Sequence, residues 1–175
     1  KGNPGKLSYG SPGNGTSPHI AGEMLKSQAG IFTLHIPYRG SGAALQDLLG
    51  GNVDYLLDPG IAFSHVRSGR LRLLAVTSPQ RLSMFPDAPT LNELGLKNFD
   101  AGTSHGFWAP AGTPAAIVSF LHSEIVSIVN GPGVRDNLVE MGFNAIASQP
   151  AELSLQINSE IVRWRRVIQA SRIEA

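Results

Sequence analysis

Residues 7–23 read Leu7-Ser-Tyr-Gly-Ser-Pro-Gly-Asn-Gly-Thr-Ser-Pro-His-Ile-Ala-Gly-Glu23, LSYGSPGNGTSPHIAGE. The reading of this stretch decides the fold. Leu7 and Tyr9, with the small Ser8 and Gly10, suit the end of a buried strand. Gly10, Gly13 and Gly15 free the backbone and let a ligand come close to the main chain. Pro18 fits a first helical position, with Ser17 before it as the expected N-cap. A helix start offers unpaired N–H groups and a partial positive charge, both of which favour an anion. Ser11, Asn14, Thr16 and Ser17 add side-chain hydrogen-bonding groups at the same place. The stretch therefore reads as strand, anion cradle, helix, with a plain strand-to-helix turn as the alternative.

Two sharper motifs fail on single residues. Gly10 and Gly15 have the spacing of a phosphate-binding P-loop, but Thr16 stands where the lysine belongs. Gly13 and Gly15 begin a dinucleotide pattern, but Pro18 takes the place of its third glycine.

Working outward, the chain alternates. A helix is expected from about Pro18 to Ala29, then a strand over Ile31–Pro37 with Ile31, Thr33 and His35 on one face. Ser41 is expected to cap a helix through Leu49, followed by a strand over Val53–Leu57. Asp58-Pro59-Gly60 turns into a helix reaching Ser68, and the apolar run Leu71–Val76 reads as a further strand. Strand and helix in strict alternation predict a parallel sheet with helices on both faces. Ligands of such sheets sit beyond the carboxyl ends of the strands, where the loops 10–17, 38–41 and 58–60 all gather.

From Thr77 to Asp100 prolines and glycines break the pattern, with a short helix expected over Thr90–Leu94. A strand is expected at Gly106–Ala109, helices from Thr113-Pro114 and over Val134–Met141, a strand at Phe143–Ala147, and a last helix over Ala151–Ala170. Arg163, Arg165 and Arg166 on that helix read as a solvated basic face.

The whole chain of 175 residues is 42% hydrophobic and 15% charged, the composition of an ordinary globular protein. Its net charge of +1 gives no field that would favour nucleic acid. With no cysteine, disulfides, thiol catalysis and cysteine-ligated metals are excluded. No apolar run reaches bilayer length, and no signal peptide is visible in this chain.

Other candidate chemistry is thinner. Gly102-Thr103-Ser104-His105-Gly106 matches the nucleophile-elbow spacing, but Phe107, Trp108 and Pro110 follow where a helix is required. His19 and Glu23 lie one helical turn apart without a third ligand, so no metal is assigned and no cofactor is expected. His19 instead bonds within the loop or lines the cleft. Asp58 either receives a ligand amine or hydroxyl or caps the following helix. Tyr38 is a candidate to point into the same cleft.

Five segments together resemble a known family: YGSPGNGTSPHIAGEML (9–25), HIPYRGSGAALQDLLGGNVDYLLD (35–58), LRLLAVTSPQR (71–81), FPDAPTLNELG (85–95) and FWAPAGTP (107–114). In this order they are similar to the Bug family, the extracytoplasmic receptors of tripartite tricarboxylate transporters. The resemblance implies an α/β, type II periplasmic-binding fold in an incomplete two-lobe form. Residues 1–77 would be the second ligand-binding lobe and 78–175 the connection and returning segment that completes the first.

It also implies a non-enzymatic, periplasmic receptor that closes on a small organic acid and delivers it to membrane transporter subunits. The acid class stays open among di- and tricarboxylates, aromatic acids and amino acids. Carried over, Ser11, Gly13, Gly15, Thr16 and Ser17 form one jaw, while Tyr38, Gly40 and Asp58 flank the rest of the ligand. The proline- and glycine-rich loop of the opposite jaw has no counterpart in this chain, which the resemblance therefore casts as a fragment. A hydrolase or phosphate-handling enzyme using the glycine-rich loop is the alternative.

Overall fold

The computed structural model describes residues 2–171 and 173. Its sheet has three parallel strands, β1 (Ser8–Ser11), β2 (Leu34–Pro37) and β3 (Tyr55–Leu56), in the order β2-β1-β3. Helix α1 (Ser17–Ala29) links β1 to β2, and α2 (Ser41–Leu49) links β2 to β3. Helix α3 (Phe63–Arg67) follows β3, and α4 (Ala115–Asn130), α5 (Pro132–Glu140) and α6 (Pro150–Ser171) complete the described helices.

The two helices next to the sheet lie on opposite faces. Tyr9, fully buried, points toward α1, where its hydroxyl donates to Glu23 Oε1 at 2.9 Å. A Cβ on Gly22 would collide with the Tyr9 ring, so the helix approaches β1 through a residue with no side chain. Gly10 faces the other way, against Leu56 and Tyr38, and Tyr38 donates its hydroxyl to Asp47 of α2 at 2.7 Å. The chain thus leaves β1 across one face to make β2, and returns across the other to make β3.

Residues through Gly102 form one compact unit with those from Leu155 onward. Its core joins Ala21 and Met24 of α1 to Phe99 and Ala101, with Trp164 and Val167 of α6 packed against them. Arg163 does not belong to a solvated face as expected. Its Nη1 donates to Asp100 Oδ2 at 2.9 Å and its guanidinium lies 4.5 Å from the Trp164 ring centroid. Arg165 and Arg166 are exposed.

The second unit, Thr103–Ser154, holds α4 and α5. They meet at a 70° bend around Gly131. No single helix among the described residues is long and apolar enough to cross a membrane, although this bent pair has the length and composition.

Several expected elements are absent among the described residues. Leu71–Val76 is not a strand. Only Val76 pairs, in an isolated parallel bridge to Thr90, while Leu74 is 64% exposed. An apolar run becomes a strand only where a neighbouring backbone takes its N–H and C=O groups, and β3 is two residues long. Gly106–Ala109 and Phe143–Ala147 are likewise irregular.

The short helix expected at Thr90–Leu94 is a single turn. The Thr90 N–H donates to Glu93 Oε2 and the Glu93 N–H to Thr90 Oγ1, a reciprocal capping box, and Gly95 with φ 100° stops propagation. Helix starts also shift by one residue. Thr16 and Gly40 occupy the cap positions expected for Ser17 and Ser41, which are instead the first helical residues.

Candidate functional site

The strand order reverses at β1, and open α/β sheets bind ligands beyond the carboxyl ends of strands at such a reversal. The loop leaving β1 there is 12–16, between Ser11 and α1. It is held by its own polar groups. Thr16 Oγ1 donates to the Gly13 carbonyl at 2.7 Å, and the Gly13 N–H donates to Ser11 Oγ at 3.2 Å. The Gly15 N–H donates to His19 Nδ1 at 3.0 Å. Gly15 sits at φ 72°, a conformation that costs a side-chain-bearing residue energy and leaves glycine free.

What this folding leaves over is a set of donors. The backbone N–H groups of Asn14, Ser17 and His19 have no acceptor among the described residues. These stand at the N-terminus of a 13-residue helix, where the peptide dipoles place partial positive charge. Pro18 contributes no N–H, and its fixed φ favours the helix start.

The loop after β2 is bonded directly to this one. The Tyr38 N–H donates to the Ser11 carbonyl at 2.9 Å and the Gly40 N–H to the Pro12 carbonyl at 3.0 Å. Gly40, at φ 107°, turns the chain into α2. The sequence-expected residues Ser11, Gly13, Asn14, Gly15, Thr16, Ser17, His19, Tyr38 and Gly40 are therefore brought together at the carboxyl end of β1 and β2.

Their side chains are used unequally. Asn14 and Ser17 are exposed, whereas Ser11 is fully buried with its hydroxyl turned to Gly13 and His35. The Tyr38 phenol is committed to Asp47; burial and that hydrogen bond push it up to about 12. Asp58, just past β3, does not cap α3 as one reading expected, because the N-cap of that helix is Ala62 and carries no side-chain bond; Asp58 instead ties up its own loop. Its Oδ2 accepts the N–H groups of Gly60 and Ala62 at 2.7 and 2.9 Å.

Behind the loop lies a ladder of rings that the sequence did not single out. Tyr55, Tyr9 and His35 are register neighbours on β3, β1 and β2, so their side chains share one face. Tyr9 stacks on His35 at 4.8 Å and on Tyr55 at 5.5 Å between centroids. His19 from α1 then stacks on His35 at 3.9 Å. Burial lowers the pKa of both histidines, His35 to about 4, with the neighbouring His19 as its second cause. The parity of β2 already put His35 on the Thr33 face; the strand register that sets it against Tyr9 was the missing information.

His19 Nε2 lies 4.0 Å from Glu23 Oε1, and no group of three or more His, Asp or Glu side chains that could hold a metal forms among the described residues. The Gly102–Gly106 motif lies in irregular chain with no helix immediately after it. His122 is committed within its own unit, its Nε2 lying 3.1 Å from the Ser148 carbonyl oxygen. An open hollow of about 700 Å³, lined by residues including Val66, Leu71, Leu73, Met84, Phe85 and Pro89, shares no residue with the loop.

The chain as a whole is similar to known proteins. A family model described as "Tripartite tricarboxylate transporter family receptor" matches residues 1–173. A UPF0065 protein from a Pseudomonas species is 38% identical over 175 residues, covering 99% of this chain and 52% of that relative. Among solved structures, an R. palustris protein with adipate superposes with a TM-score of 0.87 at 28% identity, covering 98% of this chain and 58% of that one. The periplasmic binding protein BugD gives a TM-score of 0.87 at 30% identity, with 99% and 59% covered. The chain thus spans about half the length of such relatives.

Proposed function

The chain belongs to the tripartite tricarboxylate transporter receptor family, and from that membership we propose that it is the carboxylate-gripping part of a periplasmic solute receptor. The observation that carries this proposal is the donor set at the start of α1. N–H groups of Asn14, Ser17 and His19 that have no acceptor among the described residues lie in the same loop and first helical turn as the Ser17 hydroxyl and the Asn14 amide, where strand order reverses. Such a site suits one carboxylate group, because charge-assisted hydrogen bonds from preformed donors need little reorganisation.

In this proposal Gly13, Asn14, Gly15, Thr16, Ser17 and His19 form one jaw. Ser11, Tyr38 and Gly40 shape it from beneath and beside, and Asp58 holds the third loop in place. Residues 1–77 serve as the second lobe and 78–175 as the connection and returning segment. The opposing jaw falls in the part of the relatives that this chain does not span. Closure of the two jaws about a bound acid would be the state a membrane transporter reads. No residue is assigned a catalytic part. The hydrolase alternative lacks the P-loop lysine and a helix after Ser104.

The test is calorimetric titration of the protein, extended to the relatives' full length, with adipate, malate, citrate, benzoate and glutamate. Binding of at least one acid, with no turnover of ester or phosphate substrates, is the expected result. Hydrolysis of such a substrate, or failure of every carboxylate, would overturn the proposal.

A further inference from the structure

The imidazoles of His19 and His35 lie behind the loop rather than in it, parallel within 7° and 3.9 Å apart. Each reaches the loop through one ring nitrogen. His19 Nδ1 accepts the Gly15 N–H at 3.0 Å. His35 Nε2 is 2.6 Å from Ser11 Oγ, and that same oxygen accepts the Gly13 N–H at 3.2 Å. The ring stack is therefore tied to Ser11, Gly13 and Gly15, on either side of the exposed Asn14.

We propose that His35 is a positioning residue for the glycine-rich loop: stacked on His19 and bonded to Ser11, it holds Gly13 and Gly15 in their binding geometry only while both imidazoles are uncharged. The carboxylate role of that loop rests on the function proposed above, whereas the brace itself is a property of the fold.

For His19 the requirement follows from its bond to Gly15, and for His35 from the ring stacked on it. A proton on His19 Nδ1 would set an N–H against the Gly15 N–H and remove the acceptor. Charge on both rings would place two cations face to face in a largely buried layer, where repulsion is weakly screened. The groups facing the pair do not compensate. From α1, Glu23 lies 4.0 Å from His19, but it already accepts from Lys26 at 2.7 Å and from Tyr9 at 2.9 Å. From β1 and β3, Tyr9 and Tyr55 stay protonated, both pushed up first by burial. From β2, His35 itself is the second ring. Burial outweighs the pull of Glu23, so neutrality holds at ordinary pH and fails in acid.

The experiment follows the backbone amides of Gly13 and Gly15 and the ring signals of His19 and His35 by NMR, from pH 7.5 to 4, in the intact protein without ligand. His35→Phe keeps a ring in the stack and removes the bond to Ser11. His35→Gln restores a donor toward Ser11 that does not titrate. The expected result is that both glycine amides shift with the histidine midpoint in the wild type. At pH 7.5, Gly13 amide exchange should rise about tenfold in H35F and return toward the wild-type rate in H35Q, where the Gly13 chemical shift no longer follows a residue-35 midpoint.

Glycine amides indifferent to the histidine titration, or an H35F protein with wild-type Gly13 exchange, would overturn the brace. A parallel titration with adipate at pH 7.5 separates the two proposals. Coupled amides without adipate binding uphold the brace and count against the loop as an adipate site, whereas adipate binding with uncoupled amides does the reverse.

Discussion

Thr16 and Ser17 show how two adjacent hydroxyls divide a task. Thr16 turns its Oγ1 back to the Gly13 carbonyl and closes the loop, while the exposed Ser17 leaves both its hydroxyl and its N–H at the open edge. Replacing both by alanine in a full-length protein should weaken carboxylate binding by roughly 1–3 kcal/mol. Calorimetry with the best-bound acid checks this, and unchanged affinity would remove the loop from the site.

His35 carries a second residue-scale consequence. Its folded pKa, about 4, lies below the ordinary 6.5, so the unfolded chain takes up the proton first as pH falls. The stabilising contribution is complete above about pH 6.5 and is lost on descending to about pH 4; discounted for solvent screening of the partly exposed ring, it amounts to on the order of 2 kcal/mol. Urea unfolding at pH 7 and pH 4.5 should show that loss in the wild type and a smaller one in H35Q.

Among the elements, α1 and α2 were legible because their boundaries are written locally. Pro18 lacks an N–H and presets φ, Gly30 ends α1 in the left-handed conformation, and Gly40 opens α2. The run Leu71–Val76 was misread because apolar composition does not supply a pairing partner. Helix α6 was placed correctly by its periodicity, but the fate of its arginines was not. Arg163 reaches Asp100, 63 residues earlier, and periodicity carries no information about such a neighbour. Because both side chains are about one-third exposed, Arg163→Met should cost only about 0.5–1 kcal/mol. Guanidinium chloride is itself a salt and would mask the pair, so urea unfolding is the right measurement; added 0.5 M NaCl should shrink the difference.

At the scale of the whole molecule, the two units differ in how well they bury themselves. The unit containing the sheet has a core around Met24, Phe99 and Ala101. In the unit Thr103–Ser154 no residue is buried, and α4 exposes Phe120 at 60% and Ile128 at 59%, with Phe107 and Trp108 at 75% and 73%. Exposed apolar surface of this kind marks a place made for contact. The 175-residue chain alone should therefore bind a hydrophobic dye, and replacing Phe107 and Trp108 with serine should reduce the dye fluorescence by about half. A version extended to the relatives' length should show a weaker signal than the chain alone. Equal fluorescence in all three would mean that this surface is covered in some other way.

The sequence by itself determined the alternation of strand and helix, the glycine-rich turn ahead of α1 and the donors that turn exposes. Each rests on φ, on a missing N–H or on side-chain parity within a few residues. Only the tertiary structure decided that Ser11 is buried and that Tyr55, Tyr9, His35 and His19 form one stack. Those outcomes depend on the register of strands that are far apart in sequence. Once backbone hydrogen bonding fixes Tyr9 opposite both His35 and Tyr55, the side chains behind the loop have no other place to go.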